Sequence, residues 1–435
     1  MVIREISNLV PFVRYRNSSD NDLMYWGLDY PPLTAYHSFL VGSVAKLVDP
    51  AYVELWTSRG YESIAHQFFM RMTVLLSDLV FFISALYYYI KSSKISTKYQ
   101  WVLFGICSHP GLTLIDYGHF QYNCVSLGLA LWAINFISQG KNMMAAVAFS
   151  AALNFKQMEL YHALPIFFYL LAVCERKQGL LSKLSSLAGI GTATIATFAL
   201  IWYPFLPLCD LQQVIARVFP FNRGIFEDYV GNFWCSLNVL VKIRRFLEPP
   251  QLARYCLLLT AAFSLPCGLH LYLKANFRNL LISMINISLA FFLFSYHVHE
   301  KSILLVALPV TLAFPYLPLA SLWFLCIAHF SMVPLYFKDD LMVPSVAVLV
   351  LYLILAYNSL KIDCDRWVTL VLSLSLAGCV VLTVVFLTLP PPIAYPYLWT
   401  MLISVWSFAH FSIFLLYFLY VQFYHSAHCL KIKVH

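Results

Sequence analysis

Six clusters of polar residues interrupt an otherwise apolar sequence, and their side chains are of types that perform acid–base and anion-binding chemistry. Carboxylates, which can take a proton from a sugar hydroxyl, are Asp29, Asp116, Glu159, Glu227, Asp228 and Glu300. Side chains that could hold an anionic leaving group are Lys156, Arg223, His299 and Lys301. Neighbours suited to contact a sugar or a lipid tail are Trp26, Tyr30, His119 and Gln121. This combination favours glycosyl transfer from a lipid phosphate, and a nucleotide-sugar donor is less favoured because the sequence has no Gly-rich phosphate cradle.

Two of the clusters contain patterns that resemble metal sites. Asp20 and Asp22 form a D-x-D pattern, but they lie in a run of capping and turn residues, which favours a turn or a helix cap. His297 and His299 are two residues apart and do not share one face of a helix, so contact with phosphate or sugar is favoured over a metal. We therefore expect no metal and no cofactor.

The composition shows what kind of chain positions these clusters. Of the 435 residues, 61% are hydrophobic and 11% are charged, and the mean hydropathy is +0.74. Soluble domains carry about 25% charged residues, so a soluble or disordered protein is excluded, as is an outer-membrane barrel with its alternating strands. The net charge of +8 is spread over short loops, which argues against nucleic-acid binding. We predict an all-α polytopic membrane protein.

Thirteen apolar runs approach the length of about 20 residues that a membrane-spanning helix requires. The predicted spans are roughly 68–90, 99–115, 122–138, 142–155, 160–174, 184–205, 252–273, 279–296, 301–317, 319–337, 341–360, 367–389 and 397–421. Three regions follow. They are a loop with interfacial helices at 1–67, a transmembrane module at 68–345 that includes the loop 206–251, and further helices with a tail at 346–435.

The distribution of charge predicts the orientation of these helices. One set of alternating connections carries 13 of the 28 cations and three of the 20 acids, while the rest of the chain carries 15 cations and 17 acids. By the positive-inside rule the first set is cytosolic, so the C-terminus is cytosolic and the polar clusters share the opposite, lumenal face. Lys431 and Lys433 match a dilysine retrieval signal of the endoplasmic reticulum, although ordinary positive-inside charge explains them equally well. Asn17 begins a glycosylation sequon on the lumenal side.

Several of the clusters resemble motifs of a known enzyme family. The strings are YWGLDYPPLTAYH at 25–37, TSRGYES at 57–63, DYGHFQYN at 116–123, KQMELY at 156–161, RGIFED at 223–228 and VHEKSILL at 298–305. They resemble the dolichyl-phosphate-glucose-dependent α-1,3-glucosyltransferases of asparagine-linked glycosylation, in the GT-C superfamily. With Tyr30, the sequence Asp-Tyr-Pro-Pro resembles the branch of the family that adds the first glucose. The branch that adds the second glucose resembles Asp-Trp-Pro-Pro at this place. The resemblance covers residues 17–345.

The resemblance implies a fold and a reaction. The reaction is an inverting, metal-independent transfer of glucose from dolichyl-phosphate-glucose to the terminal mannose of a lipid-linked high-mannose oligosaccharide, in the lumen of the endoplasmic reticulum. Family members carry a first transmembrane helix and an acidic segment whose leading aspartate is taken as the base. This sequence begins after that point, so we expect either an incomplete sequence or an inactive relative. The second-glucose enzyme and a lipid or sugar-lipid transporter also remain compatible with the sequence.

Individual roles can be proposed on this basis. We expect His299, with Arg223 or Lys301, to contact the donor phosphate, while Glu227 and Glu300 orient these groups or the sugar. Asp29 precedes Pro31 in a stiff turn, where it either binds acceptor hydroxyls or forms an Asx turn with nearby backbone N–H groups.

Overall fold

The structure is a computed structural model that describes most of the chain as two compact units. The described residues are 15, 28–54, 56–92, 105, 109–206, 211–219, 229–359 and 365–424. The first unit comprises residues 1–89, 120–160 and 177–222, and the second comprises residues 90–119, 161–176 and 223–435. All regular structure within the described residues is helical.

The first unit is built on a helical hairpin. Its helices are Pro32–Val48, Ile64–Ser92 (which runs on beyond the unit and contains a π-helical stretch at Leu79–Ile83), Asn123–Ser138, Asn142–Phe155, Leu180–Trp202 and Leu211–Val218, with short 3-10 turns at Pro50–Tyr52 and Gln157–Glu159. Asn123–Ser138 and Asn142–Phe155 form the hairpin, against which Leu180–Trp202 and Pro32–Val48 pack. Gly128 permits the hairpin to approach the π-helical stretch, because a Cβ atom there would lie 2.5 Å from the backbone carbon of Phe81.

The second unit surrounds one buried helix. Its helices are Pro110–Thr113 (continued by a π-helical turn, Leu114–Gly118), Leu160–Glu175, Phe233–Leu240, Pro249–Leu273, Phe277–Phe294, Ile303–Leu312, Pro318–Ser331, Val333–Lys338, Met342–Ser359, Arg366–Thr388 and Leu398–Phe423, with short 3-10 turns at Ile243–Arg245 and Glu300–Ser302. Phe277–Phe294 has 83% of its residues buried and is flanked by Pro249–Leu273, Ile303–Leu312 and Leu398–Phe423. Asn286 and Gln422 bond to each other across this core, with 2.7 Å between Asn286 Nδ2 and Gln422 Oε1. Such bonds join helices in the absence of water.

The helices agree with a multi-pass membrane protein. Seven are long and apolar enough to span a membrane, namely Ile64–Ser92, Gln157–Glu175, Leu180–Trp202, Pro249–Leu273, Phe277–Phe294, Arg366–Thr388 and Leu398–Phe423. Four apolar helices are shorter, namely Asn123–Ser138, Asn142–Phe155, Pro318–Ser331 and Met342–Ala356. The prediction of a helical membrane protein is confirmed in this form, and the number of thirteen spans stays a prediction.

Helix limits differ from the predicted spans at two places where proline acts. The predicted span 301–317 is helical only over Ile303–Leu312, because Pro315 and Pro318 disfavour a continuous helix there. The predicted span 319–337 is broken at Met332, since Pro334 begins a new short helix, Val333–Lys338. Most of the predicted span 99–115 lies outside the described residues.

Candidate active site

Asp29 lies in the first unit, just before the helix Pro32–Val48, and its carboxylate forms an ion pair with Arg217. Asp29 Oδ1 is 2.6 Å from Arg217 Nη2, and the two side chains are 27% and 22% exposed. Arg217 occupies the helix Leu211–Val218, far along the chain. Neither of the two sequence-based interpretations of Asp29 included this long-range contact with Arg217.

A single side-chain amide fixes the backbone on both sides of this ion pair. Gln157 Nε2 donates to the carbonyl oxygens of Asp29 and Val218, at 3.0 Å each. Leu28 and Val218 belong to one apolar cluster, so burial of apolar surface supports the same arrangement. We call these residues, Asp29, Gln157, Arg217 and Val218, the Gln157 clamp. Gln157 was part of a resembling motif, but sequence reasoning assigned it no role.

Lys156 lies close to several of the predicted substrate-binding residues of the first unit. Its Nζ donates to Gln121 Oε1 at 3.3 Å and to Asn123 Oδ1, and it lies 5.7 Å from the centre of the Tyr30 ring. Asn123 Nδ2 also donates to Gln121 Oε1, at 3.2 Å. Lys156 ends the helix Asn142–Phe155 with extended backbone, which points the chain away from the helix axis. The structure therefore brings Tyr30, Gln121 and Lys156 together.

Two of the predicted carboxylates are fully buried. Glu159 ends the 3-10 turn Gln157–Glu159 in the first unit, and Asp116 lies in the π-helical turn Leu114–Gly118 in the second unit. Both residues have 0% exposure. Burying a carboxylate is costly unless it is compensated, and π-helical turns occur frequently at functional sites. Neither residue is open to solvent in this conformation.

In the second unit, His119 lies between a carboxylate and an ammonium. His119 Nδ1 is 2.7 Å from Asp339 Oδ2, and Lys301 Nζ is 3.4 Å from His119 Nε2. Gly118 permits the close approach of the Leu341 side chain, because a Cβ atom at position 118 would lie 2.5 Å from Leu341 Cδ1. The predicted residues His119 and Lys301 are thus neighbours, whereas Asp339 was missed. In the topology predicted from the sequence, the charged run at 338–340 lies in a lumenal connection, as the polar clusters do, and could have indicated Asp339.

The pKa of His119 is lowered from its ordinary value of 6.5. Burial is the largest cause, the charges of Lys301 and Lys338 add to it, and the hydrogen bond and charge of Asp339 oppose it. His119 is therefore neutral at pH 7. Below pH 6.5 the unfolded chain binds more protons at this residue than the folded chain does, so its contribution to the free energy of unfolding falls as the pH falls.

His297, His299, Glu300 and Lys301 form a half-buried polar segment before the helix Ile303–Leu312. The backbone at His299 is extended, and the rings of His297 and His299 lie edge to face with centres 5.0 Å apart. The argument that these histidines do not share a helical face does not apply here, because the segment is not helical. Among the described residues, no group of three or more His, Cys, Asp or Glu side chains could hold a metal ion.

Several predicted residues lie outside the part of the chain that the structure describes. These are Asn17, Asp20, Asp22, Trp26, Arg223, Glu227 and Asp228, together with Lys431 and Lys433.

Comparison with known proteins identifies the family. The sequence pattern of the ALG6, ALG8 glycosyltransferase family matches residues 4–417. A protein of Rattus norvegicus named dolichyl pyrophosphate Man9GlcNAc2 alpha-1,3-glucosyltransferase is 43% identical, over 93% of this chain and 85% of that protein. Its namesake from Gallus gallus is 42% identical over the same shares. A protein of Arabidopsis thaliana with the same name, marked probable, is 38% identical over 98% of this chain and 83% of its own length. The chain therefore belongs to the ALG6, ALG8 glycosyltransferase family.

Proposed function

We propose that the chain transfers glucose in α-1,3 linkage to Man9GlcNAc2 carried on dolichyl pyrophosphate. The observation that carries this proposal is the similarity over 93% of the chain to relatives that bear this name. The acceptor in those names carries no glucose, which agrees with the sequence indication at Tyr30 for the first-glucose branch over the second-glucose branch.

The donor in this proposal is dolichyl-phosphate-glucose, used without a metal or other cofactor. A phosphate leaving group gains negative charge in the transition state, so fixed donors of positive charge accelerate its departure. In the second unit the His299–Lys301 segment offers such charge, and we assign donor contacts to it and to Arg223. The proposed catalytic residues are Asp29, Asp116, Glu227, His299 and Glu300, and we assign the binding of acceptor hydroxyls to Asp29.

The location in this proposal is the membrane of the endoplasmic reticulum, with thirteen spans and the site facing the lumen. The excess of cations over acids in one set of connections supports this orientation. The same count supports a cytosolic C-terminus.

A transfer assay tests the proposal. Microsomes from cells lacking their own relative are made to express the chain and are supplied with dolichyl-phosphate-glucose and the unglucosylated lipid-linked acceptor. We expect a product heavier by one hexose, formed with a chelator present and removed by an α-glucosidase. Transfer only to an acceptor that already carries glucose, or movement of lipid without transfer, would overturn the proposal.

A further inference from the structure

Three side chains of the second unit form a hydrogen-bonded chain that runs from an anion through a histidine to a cation. They are Asp339 after the helix Val333–Lys338, His119 after the π-helical turn Leu114–Gly118, and Lys301 in the 3-10 turn Glu300–Ser302. The distances are 2.7 Å from Asp339 Oδ2 to His119 Nδ1 and 3.4 Å from His119 Nε2 to Lys301 Nζ. A half-buried imidazole that bridges an anion and a cation is constrained in its proton position.

The chemistry of the two neighbours determines the tautomer. An ionised carboxylate only accepts hydrogen bonds and an ammonium only donates them. His119 must therefore carry its proton on Nδ1, facing Asp339, and must offer the lone pair of Nε2 to Lys301. A protonated ring would place an N–H on both sides, and the N–H on Nε2 would repel the ammonium of Lys301.

We propose that Asp339 is a positioning residue that acts through neutral His119 to hold the ammonium of Lys301 for the phosphate of a lipid-linked donor. The proposal rests on the proposed function for the identity of that phosphate. Asp339 sets the tautomer of His119, and His119 directs one of the three N–H bonds of Lys301. A carboxylate behind a histidine plays this part in metal sites, where its loss costs about 10–100-fold in affinity or activity.

Substitutions at Asp339 separate positioning from a structural role. Asp339→Asn keeps an oxygen that accepts from Nδ1, so we expect turnover and binding within about threefold of wild type. Asp339→Ala removes the acceptor and frees the other tautomer, so both should fall about tenfold or more. Asp340→Asn is the matched control. Asp340 adopts a left-handed backbone with φ of 57°, which asparagine tolerates, and it should behave as wild type.

The pH profile supplies a readout that a structural role would not change. Binding should weaken as the pH falls through the lowered pKa of His119, below 6.5. Asp339→Asn removes a charge that raises this pKa, so its acid limb should move to lower pH. Lys301 and Lys338 remain in both proteins, so their effect on His119 cancels in the comparison. His119→Gln donates and accepts in the same directions without titrating, so it should retain only the acid limb that comes from the second ionisation of the phosphate monoester, at about pH 6. Asp339→Ala should cost less in that background.

The experiment measures two quantities for each purified full-length variant. One is glucose transfer, and the other is binding of dolichyl phosphate in detergent micelles as a function of pH. Failure of wild type to transfer glucose while it binds dolichyl phosphate would overturn the proposed function and still test the positioning role. Equal losses for Asp339→Asn and Asp339→Ala with an unchanged acid limb would overturn the positioning role, as would wild-type binding by Asp339→Ala. Absence of dolichyl phosphate binding by wild type would overturn it too.

Discussion

Single charged residues of the candidate site are held by partners of different kinds. Lys156 donates to the side-chain oxygens of Gln121 and Asn123, Asp29 pairs with the guanidinium of Arg217, and His119 lies between groups of opposite charge. The ion pair of Asp29 with Arg217 presents a dipole to an incoming group, whereas the amide oxygens orient the ammonium of Lys156 without adding charge. The first unit thus holds its charged groups in two ways, and the second unit holds His119 in a third way.

Asp29 and Arg217 provide a test at this scale. We expect Asp29→Asn to reduce glucose transfer about tenfold, since it removes the charge and keeps an acceptor oxygen. In a double-mutant cycle of Asp29→Asn and Arg217→Gln, thermal unfolding in detergent should give a coupling free energy of about 1 kcal/mol, as for partly exposed ion pairs. Additive effects would contradict the ion pair, and full transfer by Asp29→Asn would assign the residue a structural role.

At the level of elements, close helix contacts depend on glycines that leave room for a neighbouring backbone. Gly128 faces the backbone of Phe81 and Phe82, where the π-helical stretch Leu79–Ile83 interrupts the regular helix. Gly191, in the helix Leu180–Trp202, has no atom within 4 Å of a Cβ placed on it. The two positions form a matched pair because both are helical glycines in apolar helices.

We therefore predict opposite outcomes for alanine at these positions. Gly128→Ala should lower the stability of the folded protein by about 1–3 kcal/mol, because backbone atoms cannot move aside as a flexible side chain can. Gly191→Ala should raise it by about 0.5–1 kcal/mol, because alanine is favoured over glycine in a helix interior and the added Cβ meets no other atom. Thermal unfolding of the two variants side by side measures this, and equal stabilities would show that the helices separate without cost.

Apolar runs predicted the elements well, and sequence reasoning missed the contacts between them. Of the thirteen predicted spans, ten lie mainly on one described helix each, because about 20 apolar residues are sufficient to indicate a helix. Two are interrupted near prolines, and most of 99–115 lies outside the described residues. Prolines at 315 and 334 were visible, yet their effect on the ends of the helices was not used. Arg217 and Asp339 are distant in the chain from Asp29 and His119, and period and composition carry no information on such pairs. The charged run at 338–340 could have marked Asp339 as a candidate, but it could not have indicated His119 as its partner.

Over the whole molecule, the polar clusters and the basic connections alternate along the chain, and this alternation gives a prediction about orientation. Protease added to intact microsomes should remove an epitope tag fused after His435, because the C-terminus is expected in the cytosol. A glycan on Asn17, lost in Asn17→Gln, should survive the same treatment. The sequon at Asn286 should carry no glycan, since Asn286 is fully buried within a helix. A tag that resists the protease, or a glycan on Asn17 that the protease removes, would contradict the predicted orientation.

The Gln157 clamp has a consequence for biogenesis. Its partners leave the ribosome in the order Asp29, Gln157, Arg217, so at about 5–20 residues per second the first waits roughly 10–40 s for the last. During this interval the segment that contains Asp29 has neither its ion pair with Arg217 nor the carbonyl of Val218 beside it. In a nascent chain stalled before Leu211, the carboxylate of Asp29 would lack the partner that it has in the finished protein. We expect membrane chaperones to bind the segment at this stage of synthesis.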